Sequence, residues 1–257
     1  MSKSLRQIVS DPGLAVASSV FEFATPGIGH ILKAAGCDFV FLDMEHSGFG
    51  IGTMKSLLRY CEAADLPALV RPPSKSGHHI ARVLDAGADG LMLPMVGSAE
   101  EARRIVAAMK FTPQGQRGVA LGIAHDRYAA GPVMDKLTAA NERTVCIALI
   151  ETREGVDNVE EIAAVEGLDG LWIGHFDLSC SLGIPGQFDH PDFLAAVERT
   201  VAAGRQHGLG LGRLVATVDE GAEMYAAGFN LICYGGDVWL LQGAVQDGLA
   251  ALRQRCR

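Results

Sequence analysis

The apolar positions of this chain fall into short unbroken runs separated by stretches of helical spacing. The runs are Leu14–Val20, Asp38–Asp43, Pro67–Arg71, Gly90–Met95, Val145–Ile150, Leu168–Ile173, Leu209–Val215 and Phe229–Tyr234. Short runs without polar alternation read as strands buried on both faces. Helices are predicted around and between them: Leu5–Ser10, Pro26–Ala35 stopped by Gly36, Gly50–Ala64, Gly77–Ala86 stopped by Gly87, Ser98–Met109, Asp219–Ala227 and Val238–Arg253. In the third of these, Met54, Leu57, Leu58 and Cys61 recur at i, i+3, i+4 and i+7, one face of a helix. Ser98 with Glu101 has capping-box spacing. Eight strands alternating with helices predict an α/β fold, a (β/α)8 TIM barrel, in one domain over residues 1–257. Two stretches depart from the short connections of such a barrel. Lys110–Arg143 shows no strand and a flexible-looking Gly118–Gly122 portion, and Gly183–Pro191 is irregular.

Ligands in parallel α/β folds bind at the carboxyl ends of the strands. The residues there are therefore the informative ones. The second strand ends in Asp43-Met44-Glu45-His46, the third in Arg71 and the fifth in Glu151. The sixth ends in Gly174-His175-Phe176-Asp177, and the eighth in Gly235-Gly236-Asp237. Each has a plain structural explanation. Asp43 can hold a loop or cap a helix, Glu45 can be a solvated charge, His46 a structural histidine, and Arg71 a partner for a nearby acid. Glu151 and Asp177 can cap the helices that follow them. Together, however, they put two carboxylates, an imidazole and a guanidinium on one rim.

Composition narrows the partners. A formal net charge of −8 argues against nucleic acid, whose phosphates need clustered Lys and Arg. No apolar run approaches the ~18 residues of a membrane span. The start of the chain lacks the apolar core of a signal peptide, so the cytoplasm is the expected compartment. The six cysteines form no CxxC pair and read as free thiols.

Two carboxylates without thiolate or paired imidazole ligands suit a hard, oxygen-preferring cation: Mg²⁺, Mn²⁺ or Co²⁺. A 2-oxo acid chelates such a cation through a carboxylate and a keto oxygen. Polarising the keto group promotes proton removal from the adjacent carbon. Arg71 is placed to stabilise the developing oxyanion, His46 to move the proton, and the backbone N–H groups of Gly174–Asp177 to hold the substrate carboxylate.

The segments DFVFLDMEHSGFG, ALVRPP, LDAGADGLMLPMV and ALIETREGVDNVEEIAAVEGLDGLWIGHFDLSCSLG together resemble the HpcH/HpaI aldolase family of metal-dependent, pyruvate-using aldolases. The resemblance runs from about Pro26 to Tyr234. It implies a barrel assembled as a hexamer, or trimer of dimers, with the last helix exchanged between neighbours. It implies Glu151 and Asp177 as metal ligands, Arg71 on the pyruvate keto oxygen and His46 in acid–base work. It also implies that Asp85, from an adjacent subunit, orients that histidine. The expected reaction is reversible cleavage of a 4-hydroxy-2-oxo acid to pyruvate, or a related 2-oxo acid such as hydroxypyruvate, and an aldehyde. Oxaloacetate decarboxylation is an alternative on the same enolate, and a non-catalytic metabolite-binding barrel is an alternative of another class. A citrate-lyase-type enzyme acting on CoA thioesters is disfavoured by the lack of a basic patch for the CoA phosphates.

Two departures from the family pattern stand beside the substrate. Leu149 occupies a position where the family commonly has Gln, and Gly174-His175-Phe176-Asp177 replaces Gly-Pro-Ala-Asp. His175 is expected to line the pocket without binding metal. In the long loop, Arg117, His125 and Asp126 are candidates for the aldehyde end.

Overall fold

The protein was analysed as a computed structural model that describes residues 3–256. Eight parallel strands close into a barrel in sequence order. They are β1 (Ala15–Val20), β2 (Phe39–Asp43), β3 (Ala68–Arg71), β4 (Gly90–Leu93), β5 (Val145–Ile150), β6 (Gly170–Ile173), β7 (Gly210–Val215) and β8 (Leu231–Gly236). This is the (β/α)8 architecture that the run pattern predicts.

The unbroken apolar runs have a direct structural cause. Along β2, Phe39 and Phe41 point into the barrel while Val40 and Leu42 point out beneath the helices, so both faces are buried. The inner set includes Phe39, Phe41, Leu69, Met92, Ile147, Leu149 and Trp172. A short helix α1 (Leu5–Ser10) adds Leu5, Ile8 and Val9 to this inner cluster and closes the N-terminal end of the barrel. Ser4 and Gln7 form a reciprocal capping box at its start.

The outer layer comprises α2 (Ile28–Ala34), α3 (Ile51–Ala63), α4 (Gly77–Asp85), α5 (Ala99–Met109), α6 (Val133–Arg143), α7 (Arg153–Asp157), α8 (Val159–Ala163), α9 (His175–Ser181), α10 (Pro191–Gln206), α11 (Val218–Ala227) and α12 (Asp237–Arg255). The predicted face of α3, Met54, Leu57, Leu58 and Cys61, is buried as expected. The long 110–143 stretch has no strand but ends in α6, and α10 follows the irregular 183–190 segment.

Among the details that differ from the sequence reading, three have a visible cause. β4 stops at Leu93, because Met95 takes a left-handed backbone with φ of 53°. β8 begins at Leu231 rather than Phe229, because the Asn230 side chain ties the strand start to Leu211 N and to the carbonyl of Asp11. At α5, Ser98 accepts from Glu101 N, but the Glu101 carboxylate turns back one residue further, to Gly97 N.

Candidate active site

Side chains two apart on a strand share a face. The inner residues Phe41, Leu69 and Leu149 are therefore followed one layer higher by Asp43, Arg71 and Glu151. An ionic layer thus sits on an apolar one at the C-terminal mouth. It borders a cavity of about 510 Å³ whose lining includes His46, Arg71, Leu149, Glu151, Gly174, His175, Phe176 and Asp177. Asp85 and the long-loop candidates Arg117, His125 and Asp126 are not part of this lining.

Asp43 and Arg71 are register partners on adjacent strands. The guanidinium grips the carboxylate with two bonds, Nε to Oδ1 at 2.9 Å and Nη2 to Oδ2 at 2.5 Å. Asp43 is fully buried and also accepts the Glu45 N–H, so its role is to hold Arg71 and the loop. The third nitrogen, Nη1, lies 3.2 Å from Glu45 Oε2. Burial opposes the Arg71 charge, but the bonds to Asp43 and the surrounding acids hold its pKa above the ordinary value. Glu45, which the sequence leaves open as a solvated charge, bridges Arg71 and His46, whose Nε2 is 3.8 Å away. Burial raises its pKa against the pull of Arg71. His46 is exposed, and among the described residues only Glu45 stands near its ring as a charge partner.

Neither Glu151 nor Asp177 is a helix cap. Thr152 caps α7 through Gly155 N, and α9 starts at Gly174 without a side-chain cap. Glu151 is buried, with Oε1 accepting the Met95 N–H at 2.6 Å. Its Oε2 accepts no hydrogen bond from the described residues, and Asp177 accepts none either. Burial, then the charge of Asp177, pushes the Glu151 pKa up to about 7. A Cβ on Gly174 would lie 2.4 Å from Glu151 Oε2, so the space beside that oxygen exists only because residue 174 has no side chain. Two hard, uncapped carboxylates on one cavity wall, with Glu151 Oε2 free of hydrogen bonds from the described residues, fit a divalent cation. No set of three or more His, Cys, Asp or Glu among the described residues is grouped to bind a metal. Water and substrate oxygens would therefore complete the coordination. Met95 was missed by the sequence reading, since a backbone N–H leaves no residue-type signal.

His175 packs against Phe176 and Phe188, at centroid distances of 4.5 and 5.2 Å. Burial, then the nearby Arg213 charge, lowers its pKa to about 4, so it is neutral at ordinary pH. Trp172 lies across the barrel interior because position 212 is glycine. A Cβ there would sit 1.9 Å from the indole.

The long-loop candidates are corrected within the single chain. His125 lines a cavity with Pro67, Ala68, Gly87 and Asp89, at the strand starts and so at the opposite rim. Its Nε2 meets Ala120 O, Asp126 pairs with Lys136, and Arg117 pairs with Asp85 at 2.5 Å. Asp85 ends α4, just before β4 begins, and so also lies away from the mouth of its own barrel.

The HpcH/HpaI aldolase/citrate lyase family model matches residues 22–244, which includes every element that carries these groups. The chain belongs to the HpcH/HpaI aldolase/citrate lyase family. It is 39% identical over 226 residues to a hydroxypyruvate/pyruvate aldolase of Paraburkholderia phytofirmans, covering 86% of this chain and 87% of that one. It is 33% identical over 224 residues to a 5-keto-4-deoxy-D-glucarate aldolase of Klebsiella pneumoniae, covering 87% and 86%. An HpcH/HpaI aldolase from Desulfitobacterium hafniense superposes with a TM-score of 0.92 at 29% identity, covering 98% of this chain and 97% of that one. As an HpcH/HpaI aldolase, the protein is a carbon–carbon lyase.

Proposed function

We propose that the protein cleaves a 4-hydroxy-2-oxo acid reversibly to a small 2-oxo acid such as pyruvate and an aldehyde, with a divalent cation held by Glu151 and Asp177. The observation that carries this reading is the pair of uncapped carboxylates beside the Asp43-anchored Arg71. The cation, Mg²⁺, Mn²⁺ or Co²⁺, would polarise the keto oxygen and offset the charge that develops on it.

The chain's own groups do the rest. Arg71, fixed by Asp43, directs Nη1 at the keto oxygen and binds it more tightly as its charge grows. In the cleavage direction, His46 accepts the proton of the 4-hydroxyl as the carbon–carbon bond breaks. The electron pair of that bond becomes the enolate, and the aldehyde leaves. Protonation of the adjacent carbon then gives the 2-oxo acid. The first N–H groups of α9, at Phe176 and Asp177, face the substrate carboxylate. The walls formed by Phe21 and Trp239, with ring centroids 5.0 Å apart, shield the enolate from water.

His46 is exposed and weakly held, which supports completion of the site by Asp85 of an adjacent subunit, as the family resemblance suggests. Helix α12 buries no residue and exposes Leu241, Val245, Leu249 and Leu252 at helical spacing, which supports assembly through this helix. A retro-aldol assay coupled to pyruvate detection tests the function. Activity should vanish in EDTA, return with added Mg²⁺ or Mn²⁺, and be lost in Glu151→Ala. Full activity in EDTA would refute the proposal.

A further inference from the structure

We propose that Lys75 is a positioning residue for the candidate cation site: its grip on the Met95 carbonyl keeps the Met95 N–H on Glu151 and thereby sets how tightly Glu151 binds a divalent cation. This rests on the cation reading of Glu151 and Asp177 above.

A chain of short bonds crosses three neighbouring strand ends. Lys75 lies in the connection after β3, the strand that ends in Arg71. Its Nζ donates to the carbonyl of Met95, in the connection after β4, at 2.6 Å. The N–H of the same Met95 donates to Glu151 Oε1, just past β5, at 2.6 Å. The orientation of residue 95 therefore couples the lysine to the carboxylate. Lys75 is itself fixed by Glu101 Oε1 at 2.6 Å, and Glu101 Oε2 accepts the Gly97 N–H at 3.0 Å. One lysine and one glutamate thus bracket the turn over residues 95–97. Their side chains are only 29% and 21% exposed, so the pair is less screened than an ordinary surface ion pair.

The turn needs such a hold from outside. Met95 has a φ of 53°, a left-handed conformation that residues with a Cβ rarely adopt and keep only where their surroundings enforce it. Its side chain is 46% exposed, so packing does little to enforce it. The Val96 N–H bonds to Leu149 O at 3.2 Å, and Asn158 Nδ2 to Gly97 O at 2.8 Å, which tie down the far side of the turn. Lys75 is the tether that grips residue 95 itself. Without it the peptide groups around Met95 are freer to rotate, and Glu151 loses the bond that aims Oε2 at the cavity. A ligand carboxylate deprived of its orienting hydrogen bond holds its cation less tightly.

The sign of the effect separates positioning from plain charge. Removing a positive charge near a cation site tightens cation binding if charge alone acts. Positioning requires the opposite.

The test measures Mn²⁺ affinity by calorimetry, hydrogen exchange of the 93–98 segment in the metal-free protein by mass spectrometry, and the urea midpoint. Lys75→Met, which keeps the aliphatic stem, should weaken Mn²⁺ binding roughly ten- to a hundredfold. It should also speed exchange in that segment while the urea midpoint stays close to native. Lys75→Arg, which keeps the charge and the donors, should restore most of the affinity and the protection. Glu101→Gln leaves the Gly97 N–H an acceptor but deprives the lysine of its carboxylate. It should shift both readouts in the same direction by a smaller factor, and it decides the matter if Lys75→Met does not fold.

A folded Lys75→Met that binds Mn²⁺ as tightly as the native protein, or more tightly, overturns the proposal and leaves Glu151 and Asp177 as ligands. So does a lower urea midpoint with affinity and segment exchange unchanged, which marks a purely structural tie. A native protein that binds no Mn²⁺ overturns both readings.

Discussion

Asp43 does not line the cavity, yet it decides where Arg71 points. Its carboxylate takes two guanidinium nitrogens and leaves the third, Nη1, to Glu45 at the cavity wall. Asp43→Asn keeps the shape and removes the charge. It should lower kcat by roughly a hundredfold, as loss of an oxyanion donor does. It should also destabilise the fold by several kcal/mol, about 3–5, as expected when one member of a buried ion pair is lost. Retro-aldol kinetics and urea unfolding check the two effects separately. Glu151 behaves in the opposite sense. Its burial disfavours the charged form, so Glu151→Gln should abolish cation binding by calorimetry while making the metal-free protein more stable above pH 7. A metal-free Glu151→Gln that is less stable than the native chain there would contradict the burial argument.

At the level of elements, the strands were legible because both their faces are buried, and their ends because charged residues interrupt apolar runs at the mouth. What the sequence could not disclose is contact made by backbone or across register. The Met95 N–H on Glu151 depends on a left-handed turn at a non-glycine residue. The bond between Asp43 and Arg71 depends on β2–β3 register. The long 110–143 loop misled for a related reason. It leaves the N-terminal end of its own barrel, where α5 ends and β5 begins, so Arg117, His125 and Asp126 settle at that rim. The β6–α9 junction yields its own prediction. Gly174→Ala would drive a methyl group into Glu151. It should weaken cation affinity about tenfold or more while the circular dichroism spectrum is retained. Unchanged affinity would mean that Glu151 Oε2 is not a ligand.

Across the whole molecule, an ionic layer is held at the top of a closed apolar barrel, and its electrostatic cost is visible in the absence of metal. The folded Glu151 keeps its proton up to about pH 7, while an unfolded one releases it near 4.5. Between these values the native state binds more protons. The contribution of this group to stability therefore falls as pH rises through that window. Thermal unfolding of the metal-free protein should show this decline. Saturating Mn²⁺ at pH 7 should reverse it, because the cation binds the ionised form and only in the native state. Helix α12 carries the other molecule-scale feature, an apolar stripe without intramolecular cover. Leu241→Glu combined with Val245→Glu should lower the mass measured by light scattering.

The central claim, that Glu151 and Asp177 hold a cation under which the substrate is enolised beside Arg71, is tested most directly by proton exchange of pyruvate in deuterated buffer. No aldehyde is needed, so acceptor identity cannot confound the result. Methyl exchange should be fast with Mg²⁺ or Co²⁺, absent in EDTA, and absent in Glu151→Ala and Asp177→Ala even with cation present. Exchange that persists in EDTA or in either variant would contradict the account.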